Sequence, residues 1–155
     1  APYARFLHQA QFDSSESDIA AVKSKGYGTW LDEQMALPSS QSGWDWLNSR
    51  GYGVIDIRNF AQSDFYLVDF MIWNQLIRSP DQVRRRVALA LTEFFVVNVD
   101  NMTEPWFKSF HIAKYFEILC DNAFGNFRKL LEDVTLSVAM GSFLNTLRKI
   151  GRAHV

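Results

Sequence analysis

The sequence predicts an all-α fold. Helix-capping signals recur along the chain, apolar residues repeat at helical spacing, and no runs of alternating strand pattern are present. The punctuation predicts an irregular multi-helix bundle of about seven helices, with one long loop at about residues 50–62.

Each element has its own signal. Ser15-Glu-Ser-Asp18 has the form of a capping box and opens a helix over Asp18–Lys25, which Gly26 closes in a left-handed C-cap. Thr29-Trp-Leu-Asp32 repeats the signal, and that helix stops before Pro38. Ser39–Gly43 reads as a polar loop, and Ser42 starts one short turn through Leu47. Gly51-Tyr-Gly53 breaks any helix, so Arg50–Ala61 reads as a loop. Ser63-Asp64 opens an apolar helix to about Arg78. Ser79-Pro80-Asp81-Gln82 marks the next start, with Ser79 as N-cap and Pro80 in the first helical position. That helix runs to about Val97. Val83, Val87, Ala90, Leu91 and Phe94 share one face, with Leu89, Phe95 and Val96 around the rest, so it is expected to be central and buried. Pro105 starts another helix with a stripe of Trp106, Phe110, Ala113, Phe116 and Cys120. Ala123–Asn126 is a turn, and Phe127–Leu136 and Ser137 to about Arg148 form two further helices.

Composition excludes several classes. The chain is 48% hydrophobic and 21% charged, which is globular rather than disordered. Sixteen Lys and Arg stand against 17 Asp and Glu, so no basic footprint for nucleic acid or a charged membrane exists. A single cysteine, Cys120, excludes a disulfide framework and a Cys-based zinc site. The longest apolar stretch, Phe65–Ile77, is interrupted by Asp69, Asn74 and Gln75 and is too short to span a bilayer.

Several segments, in order and spacing, resemble one bacterial family. They include Ala4-Arg-Phe-Leu-His-Gln-Ala10, Gly28-Thr-Trp-Leu-Asp-Glu-Gln34, Gln82-Val-Arg-Arg-Arg-Val-Ala-Leu-Ala90, Phe94-Phe-Val-Val97, Asn122-Ala-Phe-Gly-Asn-Phe127 and Val134-Thr-Leu-Ser-Val-Ala-Met-Gly141. Together they are similar to the N-terminal part of the domain-of-unknown-function family 1800 (DUF1800), over Tyr3–Lys149. The resemblance implies a mostly helical, longer bacterial protein, often exported across the inner membrane to the periplasm or beyond. It implies a gene neighbourhood shared with a co-exported sulfatase-like protein, and it brings no reaction. Many members carry Trp-His-Asn-His-Phe where this chain reads Leu91-Thr-Glu-Phe-Phe95, so no histidine metal site carries over. Residues 3–149 are therefore expected to form a partial helical domain, truncated at the C-terminal side of a metagenomic fragment. Residues 150–155, Ile-Gly-Arg-Ala-His-Val, read as a tail encoded by a sequencing adapter.

Glu93 is the leading site candidate. It lies in the helix expected to be most buried, and a buried carboxylate needs a partner or its pKa rises. Arg86, seven residues earlier, falls on nearly the same face, with Thr92 close by. The pair is either an acid/base site or, as the favoured reading, an ion pair fixing helix packing. Arg84-Arg85-Arg86 spreads too widely round a helix for one anion patch, and Arg85 is expected to point outward. His8 and His111 lack second ligands at helical spacing, and Glu117 with Asp121 reads as polar surface. Cys120 reads as an inert core thiol. Trp44 and Trp46 bracket Asp45 and read as a loop anchor rather than a sugar platform. No cofactor or metal site is expected. Two functions stay open: a structural or partner-binding module, and part of a hydrolase-like enzyme completed by residues outside this stretch. If the domain is truncated, its apolar helices should expose a large patch and the chain should bind a hydrophobic dye or self-associate.

Overall fold

The computed structural model of the chain describes residues 2–54, 66–102 and 107–146. Among these residues the fold is all-α, as the capping signals predict, with no strand. The helices are α1 (Pro2–Ala10), α2 (Glu16–Lys25), α3 (Tyr27–Ala36), α4 (Gly43–Ser49), α5 (Tyr66–Arg78), α6 (Gln82–Phe94), α7 (Lys108–Asp121), α8 (Phe127–Thr135) and α9 (Val138–Phe143), with a 3-10 turn at Val99–Asn101. Nine α-helices thus stand among the described residues where about seven were expected, because α1 and α4 are full elements. Most of the long loop expected at 50–62, and the expected starts at Ser63 and Pro105, lie outside the described residues.

Local chemistry explains most boundaries. Ser15 caps α2 through a complete capping box with Asp18. Ser42, Asn126 and Ser137 cap α4, α8 and α9 by accepting backbone N–H bonds. Gly26 links α2 to α3 at φ 80° and ψ 162°. This is not the left-handed cap expected, but an extended conformation of positive φ that is open essentially to glycine alone. It also starts α3 two residues before the expected signal at Thr29. A Cβ there would meet nothing within 4 Å. The Gly26→Ala penalty should therefore be purely backbone strain, about 1–3 kcal/mol, visible in urea denaturation. A loss below a few tenths of a kcal/mol would contradict that conformation.

Three boundaries differ from expectation, and at both ends of α6 tertiary contacts compete with local signals. Ser79 does not cap α6: its N–H bonds back to Gln75 O and finishes α5. Asp81 takes the N-cap position but makes no side-chain cap bond, because its carboxylate is engaged elsewhere. α6 ends at Phe94 rather than about Val97, and the Phe95 carbonyl accepts a hydrogen bond from the Tyr115 hydroxyl. α9 ends at Phe143, where Asn145 turns to φ 55° and Thr146 N–H bonds back to Gly141 O.

The central helix is α7, not α6. It packs on α4, α5, α6, α8 and α9. Of the stripe read from the sequence, Trp106 lies outside the described residues and Phe110, Ala113, Phe116 and Cys120 are buried, as are Ile112, Tyr115 and Leu119. One core gathers α5, α6, α7, α8 and α9 around Phe116 and Leu119. A second joins Trp46 and Leu47 of α4 to Leu67 and Met71 of α5 and to Phe110. A third joins Leu7, Val22 and Trp30 to Val83. α4 approaches closely enough that a Cβ on Gly43 would sit 2.5 Å from Met71 Sδ and 3.1 Å from Ala113 Cβ. α6 buries Gln82, Val83, Arg85 and Ala88, while Ala90 and Phe94 are exposed. Its buried face is turned from the apolar stripe toward Arg85.

Candidate functional site

The turn of α6 toward Arg85 builds a sealed polar network. Asp81 and Arg85 are both essentially without solvent contact, and Arg85 Nε lies 3.3 Å from Asp81 Oδ2. Arg85 Nη1 donates to Gln75 Oε1 at 2.9 Å and to Cys120 Sγ at 3.1 Å. Its Nη2 donates to Ser40 Oγ at 2.9 Å. Ser40 N–H donates to Asp81 Oδ2, and Gln75 Nε2 donates to the Gln41 carbonyl. Arg84 adds bonds to the carbonyls of Cys120 and Leu37 and lies over the Phe124 ring. The two guanidinium groups thus tie the 37–41 loop, α5 and α7 to the start of α6. Arg85 is the residue that sequence reasoning misplaced. On the wheel it faces outward, and its burial is made tolerable by the Asp81 carboxylate together with partners from three other segments.

This network is closed chemistry. Cys120 accepts a bond from Arg85, yet burial pushes its thiol up to about 12, so it is a protonated core group. Neither guanidinium is left to hold an anion. Arg86 is half-buried and lies 4.3 Å over the Phe12 ring.

Glu93 stands apart from Arg86. It is exposed rather than buried, and no ion pair joins it to Arg86 among the described residues. It opens with Asp69 onto a cleft of about 430 Å³ between α5, α6, α7 and the 3-10 turn. Val68, Ile112, Tyr115 and Phe116 form the apolar floor, with Thr92 and Asn98 at the side. Arg86 does not line it. The fold therefore brings together Glu93 and Asp69, two carboxylates twenty-four residues apart in sequence, rather than the expected Glu93 and Arg86.

The other candidates separate. His8 Nε2 lies 3.2 Å from Ser14 Oγ. His111 lines a second cleft of about 470 Å³ with Trp44, Lys114, Asp133 and Val138. Asp133 is held by Lys129 and Asn122, which pull its carboxyl below the usual range. Among the described residues no three His, Cys, Asp or Glu side chains converge as a metal site requires. Trp46 is buried, donates Nε1–H to Asn74 Oδ1 at 2.9 Å and carries the Arg50 guanidinium on its ring, so it anchors α4. Trp44 is half-exposed and packs edge-on against Phe110.

Glu117 pairs with Lys114 rather than with a metal-binding partner. Burial first, and the Glu117 charge second, push the Asp121 carboxyl up against the pull of Lys114, Arg84 and Arg85. A folded pKa above the unfolded one means that the native state holds the proton more tightly. The group then costs stability as pH rises from below the ordinary Asp range past its raised folded value. Asp121→Asn should raise Tm near neutral pH and leave it little changed in acid. A lower Tm near neutral pH would contradict the assignment.

Among the described residues, α5 carries an exposed apolar row. Tyr66, Phe70, Trp73 and Ile77 of α5 are 58%, 64%, 54% and 52% exposed. Their spacing of four, three and four residues is that of a heptad seam, so they share one face of the helix. Single exposed apolar residues are ordinary, but a row of four large ones along one helix is not. Periodicity in the sequence shows that α5 is apolar nearly all round; the second face is recognisable as a surface only once α4, α6 and α7 have covered the first. No helix among the described residues is long and apolar enough to cross a membrane.

The family model described as "Protein of unknown function (DUF1800)" matches residues 5–153, nearly the whole chain. No curated protein and no solved structure matches it.

Proposed function

We propose that this chain, which belongs to the DUF1800 family of proteins of unknown function, works as a helical docking module whose α5 face receives another helix. The exposed heptad row Tyr66, Phe70, Trp73 and Ile77 carries the reading. Each side chain leaves about half or more of its area in contact with water, and a helix with apolar residues at the same spacing fits it knob into hole. A sulfatase-like protein exported beside it, the partner implied by the family resemblance, would have to present such a helix. Because Phe70 makes its exposed area available without supporting the core, Phe70→Glu should leave helical circular dichroism and Tm nearly unchanged. In dilute solution the chain should bind an anilinonaphthalene dye, and Phe70→Glu combined with Trp73→Glu should remove much of that signal. Dye binding that ignores both substitutions would sink the docking reading.

A second reading, part of a hydrolase-like enzyme, is favoured by one observation: Asp69 and Glu93 open on the same apolar cleft. Glu93 would serve there as acid or base, with Arg86 outside the cleft as a packing residue. A panel of nitrophenyl esters, phosphates and glycosides tests it. Turnover lost in Glu93→Gln supports this reading, and no turnover, or turnover indifferent to that change, ends it.

A further inference from the structure

We infer that the helix received by α5 is α5 of a second copy of this chain, running antiparallel about a two-fold axis. This rests on the docking reading above and names its occupant. Three observations lead there.

The first is symmetry. In heptad terms Tyr66 and Trp73 occupy d positions and Phe70 and Ile77 occupy a positions. Tyr66 and Ile77 lie equally far from the midpoint between residues 71 and 72, and so do Phe70 and Trp73. Antiparallel pairing about that point sets Phe70 against Trp73 of the second copy and Tyr66 against Ile77, each a facing d. A row that matches its own reverse is what an isologous interface needs.

Charge is the second. α5 and α6 are packed neighbours joined by only Ser79–Asp81, and such short connections set helices antiparallel. The C-terminal end of α6 therefore borders the N-terminal half of α5, where Glu93 joins Asp69 at the cleft. The middle of α6 borders the other half, where Phe12 meets the Trp73 ring edge-on and carries Arg86 on its face. The α6 border of the row is thus acidic beside Phe70 and basic beside Trp73. A two-fold antiparallel pair keeps the two α6 borders on the same side and reverses their direction. Asp69 and Glu93 of each copy then face Arg86 of the other. Arg86 and Glu93, which do not pair within the chain, pair between chains.

Area is the third. Phe, Tyr and Trp bury ~150–250 Å² each. At the observed exposures the three rings leave about 350 Å² per chain, so with Ile77 a pair covers roughly 900 Å² before flanking residues are added. That is close to the ~1,000 Å² which a biological interface should clear, and it fits a weak, reversible dimer.

The test is sedimentation equilibrium of the 155-residue chain over a wide concentration range, with circular dichroism to confirm folding. A reversible dimer is expected, weakened at least about tenfold by Phe70→Glu, since one large desolvated anchor is worth more than ~1.4 kcal/mol. Glu93→Arg and Arg86→Glu should each weaken it, and the two changes in one chain should restore it. Under oxidation, Tyr66→Cys mixed with Ile77→Cys should form a mixed disulfide dimer, while Tyr66→Cys alone should not. A dimer indifferent to Phe70→Glu, or single charge reversals that weaken it with no restoration in the double variant, overturns the inference. A chain that stays monomeric yet shows a dye-binding α5 row overturns self-pairing and leaves the docking reading standing. A monomer whose dye signal ignores Phe70→Glu and Trp73→Glu overturns both.

Discussion

Arg85→Met is expected to lower the free energy of unfolding by about 3–5 kcal/mol, because it leaves the carboxylate of Asp81 buried beside no strong partner. Some compensation remains. Ser40 N–H still donates to Asp81 Oδ2, but Arg84 Nε is 3.9 Å away and its hydrogen bonds go to carbonyls of other segments. Cys120 and Gln75 each lose a bond from the guanidinium as well. Against a typical domain stability of ~5–15 kcal/mol the loss is a large share, so the urea midpoint should move well down. Asp81→Asn combined with Arg85→Met should cost less than the two changes summed, since no unpaired charge is then left inside. A single-variant loss below about 1 kcal/mol would mean that water reaches the site, and the network would not be sealed.

Phe116→Ala should cost about 3–5 kcal/mol, whereas Phe94→Ala should cost less than about 0.5 kcal/mol. Phe116 is 1% exposed at the centre of the core shared by α5 to α9, and Phe94 is 71% exposed at the end of α6. Removing the first opens a cavity that the surrounding α5, α6, α8 and α9 hold apart; removing the second only trims a surface ring. The comparison separates a bundle built around α7 from one built around α6. Similar losses at both positions, measured by thermal or urea unfolding, would contradict the placement of α7 at the centre.

The limits of the sequence show most clearly at α6. Its apolar residues Val87, Leu91 and Phe94 share a face by periodicity, and that face was the natural one to bury. The structure buries Val83 of the expected face and packs Leu91 against the core, but leaves Ala90 and Phe94 exposed and buries Arg85 and Ala88. Periodicity weighs a guanidinium as polar and therefore exposed. It has no access to Ser40, Gln75 and Cys120, which lie 10 to 45 positions away and take up the hydrogen bonds of that guanidinium. The same blindness affected the α6 start. Ser79-Pro80-Asp81-Gln82 has the letters of a capping box, but Asp81 is drawn off to Arg85 and Ser40.

At the candidate site, Glu93 was legible as a residue worth attention, but its surroundings were not. The wheel relates residues of one helix and so offered Arg86. The cleft relates neighbouring helices and supplied Asp69. The heptad row on α5 was present in the letters, yet α5 carries apolar residues on both faces: Leu67, Met71 and Leu76 as well as Phe70, Trp73 and Ile77. Nothing local tells which set meets the core.

By itself the sequence determined the helical class, the family, the capped start of α2, the starts of α4, α8 and α9, and the stripe of α7 at Phe110, Ala113, Phe116 and Cys120. These depend on interactions within a few residues, or on an apolar pattern clear enough to have one reading. Tertiary structure alone decided that Arg85 lies inside, that Glu93 lies outside on one cleft with Asp69, and which face of α5 meets water. Each of those depends on partners distant in the chain, and the burial of a charge or the exposure of an apolar face is settled by what packs against it.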